Sequence, residues 1–252
     1  MLKVKNLYVE INNKKIIEDM SFELLENQIL MVIGPNGAGK TTLIKAIMQN
    51  IHYKGSVMLE NKDIRGISAH ELARQIGVLM QKHEPQFPYS VYSIVSMGRY
   101  VHTKGLMKNI TDIDKEKIEE AMQMTGVGHL KNQSITTLSG GELQRVFLAQ
   151  LFAQDPGILI LDEPTNHLDL QYQLAIFDIV KKWAQKPSRA VIAVVHDLNL
   201  VHCYGSHALL LNEGKTFAKG KVKDVMTRDN LEKVYKVDII AWMKQQQKYW
   251  EE

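Results

Sequence analysis

Three groups of residues in this chain have types and spacings suited to chemistry on a phosphorylated ligand. The first is GPNGAGKTT, Gly34 to Thr42, which fits the pattern Gly-x4-Gly-Lys-Thr. Gly34, Gly37 and Gly39 let the loop that also holds Pro35, Asn36 and Ala38 turn its backbone N–H groups inward on phosphate oxygens. A helix predicted from TTLIKAIMQ would add the positive end of its dipole. Lys40 would reach the β- and γ-phosphates, the Thr41 hydroxyl would ligate Mg²⁺, and Thr42 follows in the same turn. The second group is ILILDEP, in which Asp162 and Glu163 follow an apolar run. The carboxyl end of a parallel strand faces the crevice where ligands bind. Asp162 suits the Mg²⁺ shell, and Glu163 could polarise an attacking water, a pair that points to hydrolysis rather than storage. The third is LSGGELQR, where Ser139, Gly140, Gly141 and Glu142 open another predicted helix. That is a second phosphate cradle in a chain that already has one. Gln81 after GVLM and His196 after AVIAVV end apolar strands in a similar way, although spacing alone would single out neither.

The elements that must position these residues alternate strand and helix. LKVKNLYVEI reads as strand, with Leu2 and Val4 on one side of the pleat and Leu7, Val9 and Ile11 on the other. ILMVIG is a buried strand running into the glycine loop, and GSVMLENKDI a strand and turn. ELARQIGVLMQ is a helix that leads into a strand. From about His83 the texture turns helical: SVYSIVSMGRY, then ITDIDKEKIEEAMQMTGV with Thr111 or Asp112 as cap, then ELQRVFLAQLFAQ. Strands return at Ile158–Asp162 and at AVIAVVH, and a hairpin and helices close the chain. Alternation on both sides of a helical insertion predicts a parallel α/β sheet with a helical subdomain. The core lobe is placed at 1–82 and 152–215, the helical subdomain at 83–151, and a C-terminal hairpin with helices at 216–252.

The chain has 252 residues and a net charge of +3, too small to argue for nucleic acid as partner. Its single cysteine, Cys203, excludes an internal disulfide. No apolar run approaches the roughly 18 residues of a membrane span. The first residues alternate rather than forming a signal-peptide block. The expectation is a cytosolic chain whose membrane spans, if it works at a membrane, belong to another protein.

Taken in order, these motifs resemble the ATP-binding cassette family, the nucleotide-hydrolysing subunits of ABC transporters. GPNGAGKTT looks like its Walker A loop, Gln81 falls at its Q-loop, LSGGELQR looks like its signature, and ILILDEP looks like Walker B. TNHLD, Thr165 to Asp169, looks like the D-loop, and His196 in VVHDLNL like the switch histidine. The resemblance spans almost the whole chain. It implies a RecA-like P-loop NTPase core with an N-terminal antiparallel β subdomain and a helical subdomain. It also implies ATP and Mg²⁺ as ligands and a homodimer in which each ATP lies between the phosphate loop of one chain and the signature of the other. Ser139, Gly140, Gly141 and Glu142 would then serve the partner's ATP. Glu163 would be general base, His196 would contact the γ-phosphate, and Gln81 would join Thr41 and Asp162 around the metal. The family stacks adenine on an aromatic residue near the N-terminus. Alignment places Ile11 there, with Tyr8 facing the other way on the strand.

Within the family, SVYSIVSMGRYVH resembles a segment of importers of iron–siderophores, haem and vitamin B12. Gly98, Arg99, Tyr100 and His102 match it, and Val101 replaces a proline. The resemblance implies transmembrane permease subunits and a substrate-binding protein as partners, and a peripheral location on the cytoplasmic face of the membrane. The competing reading is a soluble cassette acting as an assembly scaffold of the iron–sulfur type, without a transmembrane partner.

Overall fold

A computed structural model describes residues 1–80, 87–103, 110–166 and 168–251. The chain opens on two long strands, β1 (Leu2–Ile11) and β2 (Lys14–Leu24). Asn12 and Asn13 join them with φ of 50° and 60°, the left-handed pair of a type I′ hairpin turn. Simple alternation would put Leu2 and Val4 opposite Leu7 and Val9. Instead all four are at most 1% exposed. A register shift between Val4 and Leu7, with Asn6 at φ 48°, inserts one odd residue and restores the buried face. Ile11 lies beyond a further register shift between Val9 and Glu10 and is 41% exposed.

β3 (Ile29–Ile33) is buried along its whole length and leads through the glycine loop into α1 (Lys40–Ile47). β4 (Lys54–Leu59) and the short β5 (Lys62–Asp63) follow. α2 (Ala69–Gln75), capped by Ser68, runs directly into β6 (Ile76–Leu79). α3 (Val91–Met97) tightens into a 3₁₀ turn over Gly98–Val101. α4 (Asp112–Thr125) starts at Thr111, which forms a reciprocal capping box with Asp114. α5 (Gly140–Gln154), β7 (Ile158–Asp162), α6 (Leu170–Ala184) and β8 (Ala190–Val194) come next. α6 lies outside the elements predicted from sequence. It buries Ile176, Phe177, Val180 and Trp183, a stripe of helical period. The chain ends in α7 (Leu198–Tyr204), the hairpin β9 (His207–Asn212) and β10 (Lys215–Lys221), and α8 (Val222–Val225), α9 (Arg228–Tyr235) and α10 (Ile239–Glu251).

Contacts divide the chain into two units. The loop unit comprises 2–24, 28–64 and 194–252. In it β2-β1-β4-β5 form an antiparallel sheet, while β3 pairs with β9 in parallel and β9 with β10 antiparallel. The helical unit comprises residue 1, 25–27 and 65–193. There β6 pairs with β7 in parallel, and β8 lies beside β7. β7 and the helical unit's part of β8 are buried at every position, as expected for strands covered on both faces. The Phe152 ring of α5 stacks on Trp183 of α6 at 5.8 Å, and the Arg189 guanidinium lies 4.9 Å from the Trp183 ring.

Candidate active site

The loop unit holds the phosphate loop. Gly34 has φ 146°, and a Cβ there would stand 2.3 Å from the Leu211 carbonyl oxygen of β9, so only glycine lets β3 turn out of the sheet at this point. Gly39 precedes α1 at φ 100° and lies close against Ile16 and Ile17 of β2. No side chain caps α1, and its first turn carries no acid. That leaves the positive end of the helix dipole without an acidic side chain of its own, an arrangement suited to an anion. Lys40 is 6% exposed, and its ammonium bends back over the loop, donating to the Gly34 carbonyl at 2.8 Å and the Pro35 carbonyl at 3.1 Å. Asn36, Gly37 and Thr41 are exposed. Ile11 belongs to the hairpin whose second strand touches Gly39. His196 is exposed between β8 and α7, where Asp197 caps the helix by accepting from Asn199 N–H at 2.8 Å. Tyr235 of α9 was not among the residues the sequence pointed to. Burial pushes its hydroxyl pKa up, and a hydrogen bond with the Gly34 backbone opposes that rise. Nothing in the spacing of LEKVYKV announces that contact.

The helical unit holds the acids and the signature. Asp162 is the last residue of β7 and is 2% exposed. Glu163 follows at φ 52°, half-buried. The Asn166 side-chain amide donates to Glu163 Oε2, and the Asn166 N–H to the Glu163 carbonyl at 3.3 Å. At the head of α5, Ser139 donates to Glu142 Oε2 from its N–H at 2.9 Å and from its hydroxyl at 2.7 Å. Glu142 N–H returns a bond to Ser139 Oγ at 3.4 Å, a complete capping box. The Ser139 bonds hold the Glu142 carboxyl below its usual range. A Cβ on Gly141 would fall 2.5 Å from Cδ1 of Tyr172, so the second signature glycine is required by the α6 ring lying on it. One turn into α5, Gln144 Nε2 donates to the Pro164 carbonyl at 2.8 Å.

The segment after the Q-loop position is held largely against the helical unit. Arg99 is 6% exposed. Its Nε pairs with Asp114 Oδ1 at 2.8 Å and its Nη1 donates to the Ala153 carbonyl at 2.7 Å. His102 Nε2 bonds the Gln154 carbonyl at 2.7 Å. Burial lowers the His102 pKa, and the Gln154 bond opposes that fall. Two basic side chains thus engage carbonyls at the C-terminal end of α5. A Cβ on Gly98 would be 2.1 Å from the Gln150 carbonyl oxygen. Of the four matching residues, Tyr100 is the one that faces outward, 44% exposed.

The structure thus groups Gly34–Thr42, Ile11 and His196 in the loop unit, and Ser139–Glu142, Asp162 and Glu163 in the helical unit. Gln81 lies outside the described residues. The loop unit offers backbone N–H groups, an ammonium and a hydroxyl, and the helical unit offers carboxylates, donor types that suit a nucleotide triphosphate and a hard cation.

Residues 17–166 match the ABC transporter family. The chain is 36% identical to the ferric enterobactin transport ATP-binding protein FepC of Escherichia coli K12, covering 87% of this chain and 81% of FepC. It is also 36% identical to the hemin import ATP-binding protein HmuV of Pseudomonas entomophila L48, covering 96% and 94% respectively. Against another relative of the same identity, the chain spans 55% of the relative's length. Among solved structures, one described as an inward-facing metal-chelate type ABC transporter superposes with a TM-score of 0.81 at 28% identity, covering 94% of this chain and 89% of that one. Phosphate loop, strand-end acids and signature all lie on a fold shared with these proteins, and the chain belongs to the ABC transporter family as an ATP-binding subunit.

Proposed function

We propose that this chain is the ATP-hydrolysing motor of an importer for a metal chelate of the iron–siderophore, haem or cobalamin kind. It works as a pair of cassettes on the cytoplasmic face of the membrane, with transmembrane permease subunits and a substrate-binding protein. The observation that carries the reading is the near whole-length likeness to FepC and HmuV, both named for transport or import of an iron chelate. The same likeness favours the motor over an assembly scaffold. Among the described residues no helix is long and apolar enough to cross a membrane, so the spans would be another chain's.

In this reading Gly34–Thr42 bind the triphosphate, and Lys40 leaves its loop carbonyls for the β/γ-oxygens. Thr41, Asp162 and Gln81 would hold Mg²⁺, which would supply neutralisation of charge on the phosphate oxygens. Ser139, Gly140 and Gly141 donate to the γ-phosphate of the partner chain's ATP, with Glu142 beside them. Glu163 takes a proton from the attacking water, His196 contacts the γ-phosphate, and Ile11 covers the adenine. ATP joins the two chains more strongly than ADP does, because ADP lacks the group the signature binds. Hydrolysis therefore loosens the pair.

The test is purification of tagged Glu163→Gln protein from its own cells in mild detergent. A multi-span membrane protein recovered at one copy per cassette is expected. Soluble partners alone, with the protein absent from membranes, would overturn the motor.

A further inference from the structure

Gly34 is buried at the point where β3 ends and the phosphate loop begins. Its carbonyl accepts from the Lys40 ammonium at 2.8 Å, so the Gly34 peptide is also the seat of the loop's lysine. Three later parts of the chain, all in the loop unit, close on this loop. The Leu211 carbonyl oxygen of β9 lies 2.3 Å from where a Cβ on Gly34 would stand. In the β9–β10 turn the Gly214 carbonyl accepts from Glu18 N–H at 2.9 Å, and the Gly214 Cα lies 3.9 Å from where a Cβ on Gly39 would stand. The third part is Tyr235, in the last turn of α9, whose phenol bonds the Gly34 backbone. That bond pulls the phenol pKa down against burial. This is the sign of a phenolic oxygen accepting from the Gly34 N–H rather than donating to the carbonyl.

α9 is fixed at both ends. Thr227 caps it by accepting from Asn230 N–H at 3.3 Å, and Asn230 Nδ2 donates to the Val225 carbonyl of α8 at 3.0 Å. Leu231 and Val234 are buried. Directly after Tyr235 the helix stops at Lys236, with φ 61°, and Arg228 pairs with Asp238 beyond it. A phenylalanine ring would fill the same space. A buried hydroxyl needs a partner, and this one has its partner at the start of the phosphate loop.

We propose that Tyr235 is a positioning residue for the phosphate loop: its hydroxyl fixes the Gly34 peptide, and with it the start of the loop and the seat of Lys40. The proposal rests on Gly34–Thr42 being the nucleotide site. Tyr235 acts through Gly34, so its effect falls on ATP and ADP alike. A loop already held in its binding form takes up phosphate more tightly than one that must first be ordered.

Tyr235→Phe keeps the ring and removes the hydroxyl. In the whole chain it is expected to weaken MgADP and MgATP binding, read by calorimetry, roughly tenfold each, an order-of-magnitude expectation for lost preorganisation. KM for ATP should rise by a similar factor with kcat much less affected, since the loop serves ground state and transition state together. The melting temperature should fall by only about 2–4 °C. A purely structural role would lower the melting temperature and leave the affinity of the folded chain as it was. MgADP affinity within about twofold of the parent would overturn the proposal. Hydrogen exchange in the unaltered chain gives a second arm. Saturating MgADP should slow exchange of the α9 amides, because a link between loop and helix acts in both directions, and Tyr235→Phe should abolish that slowing. Exchange in α9 that ignores MgADP in the parent would also overturn it. Lys40→Ala separates this from failure of the site. It should lose MgADP binding, and parental affinity in that variant would show that the nucleotide binds elsewhere, so that the site assignment falls and the role of Tyr235 with it.

Discussion

Arg99→Met tests whether the segment that marks the importer branch is built for this chain or for its membrane partner. The substitution leaves the Asp114 carboxylate buried, 5% exposed, and frees the Ala153 carbonyl at the end of α5. Removing one partner of a buried pair costs about 3–5 kcal/mol. Asp114 keeps its bonds to the Thr111 hydroxyl and N–H at 2.7 and 2.9 Å, which argues for the lower end, about 3 kcal/mol. For a chain of this size that corresponds to a melting temperature lower by about 6–12 °C. Acid titration gives an independent arm. Burial pushes the Asp114 carboxyl up, but the bonds from Thr111 and Arg99 outweigh it and hold the pKa at about 2, against an ordinary 3.8. A folded-state pKa below the unfolded value stabilises the fold above the ordinary carboxylate range, and that contribution is lost as pH falls toward 2. The difference is worth about 2 kcal/mol. With Arg99 gone the folded pKa rises toward the ordinary value, so this acid-labile component should shrink. Arg99→Met/Asp114→Asn removes the stranded charge and should recover part of the loss. The assay is thermal unfolding of the purified chain at pH 7, 5 and 3, with no membrane protein present. A melting temperature of Arg99→Met within about 2 °C of the parent at pH 7 would refute a stabilising role for the buried Arg99–Asp114 pair.

Two further outcomes are expected. Gly141→Ala sets a Cβ 2.5 Å from Tyr172 and should cost about 1–3 kcal/mol by overpacking. Adding Tyr172→Ala should restore stability, and a double variant as unstable as the single one would show that the ring is not the obstacle. Ile11→Tyr should tighten ATP binding if this exposed side chain covers the base, since an aromatic face stacks where an isoleucine only shields; unchanged affinity by calorimetry would remove Ile11 from the site.

What the sequence made legible follows from which features are local. The phosphate loop is a run of nine residues, Gly34 to Thr42, whose glycines, lysine and threonine each answer one requirement of a bound phosphate, so the order of residue types carries the geometry. β3, β7 and β8 are apolar runs of strand length, and of the two caps read for α4, Thr111 or Asp112, the structure uses Thr111, with an acid three residues later. The features that stayed hidden join residues far apart in the chain. The bulge at Asn6 is visible only against β2 and β4. Arg99 looks like an ordinary exposed base until α4 and the end of α5 close over it. The Gly34 contact needs Tyr235 from the other end of the chain. Gln144 shows the same limit within a recognised motif. Its place in LSGGELQR marks it for attention, but only the fold shows its amide donating to the Pro164 carbonyl. A motif therefore names the residues that meet the ligand, while the residues that hold them in place have to be found from their contacts.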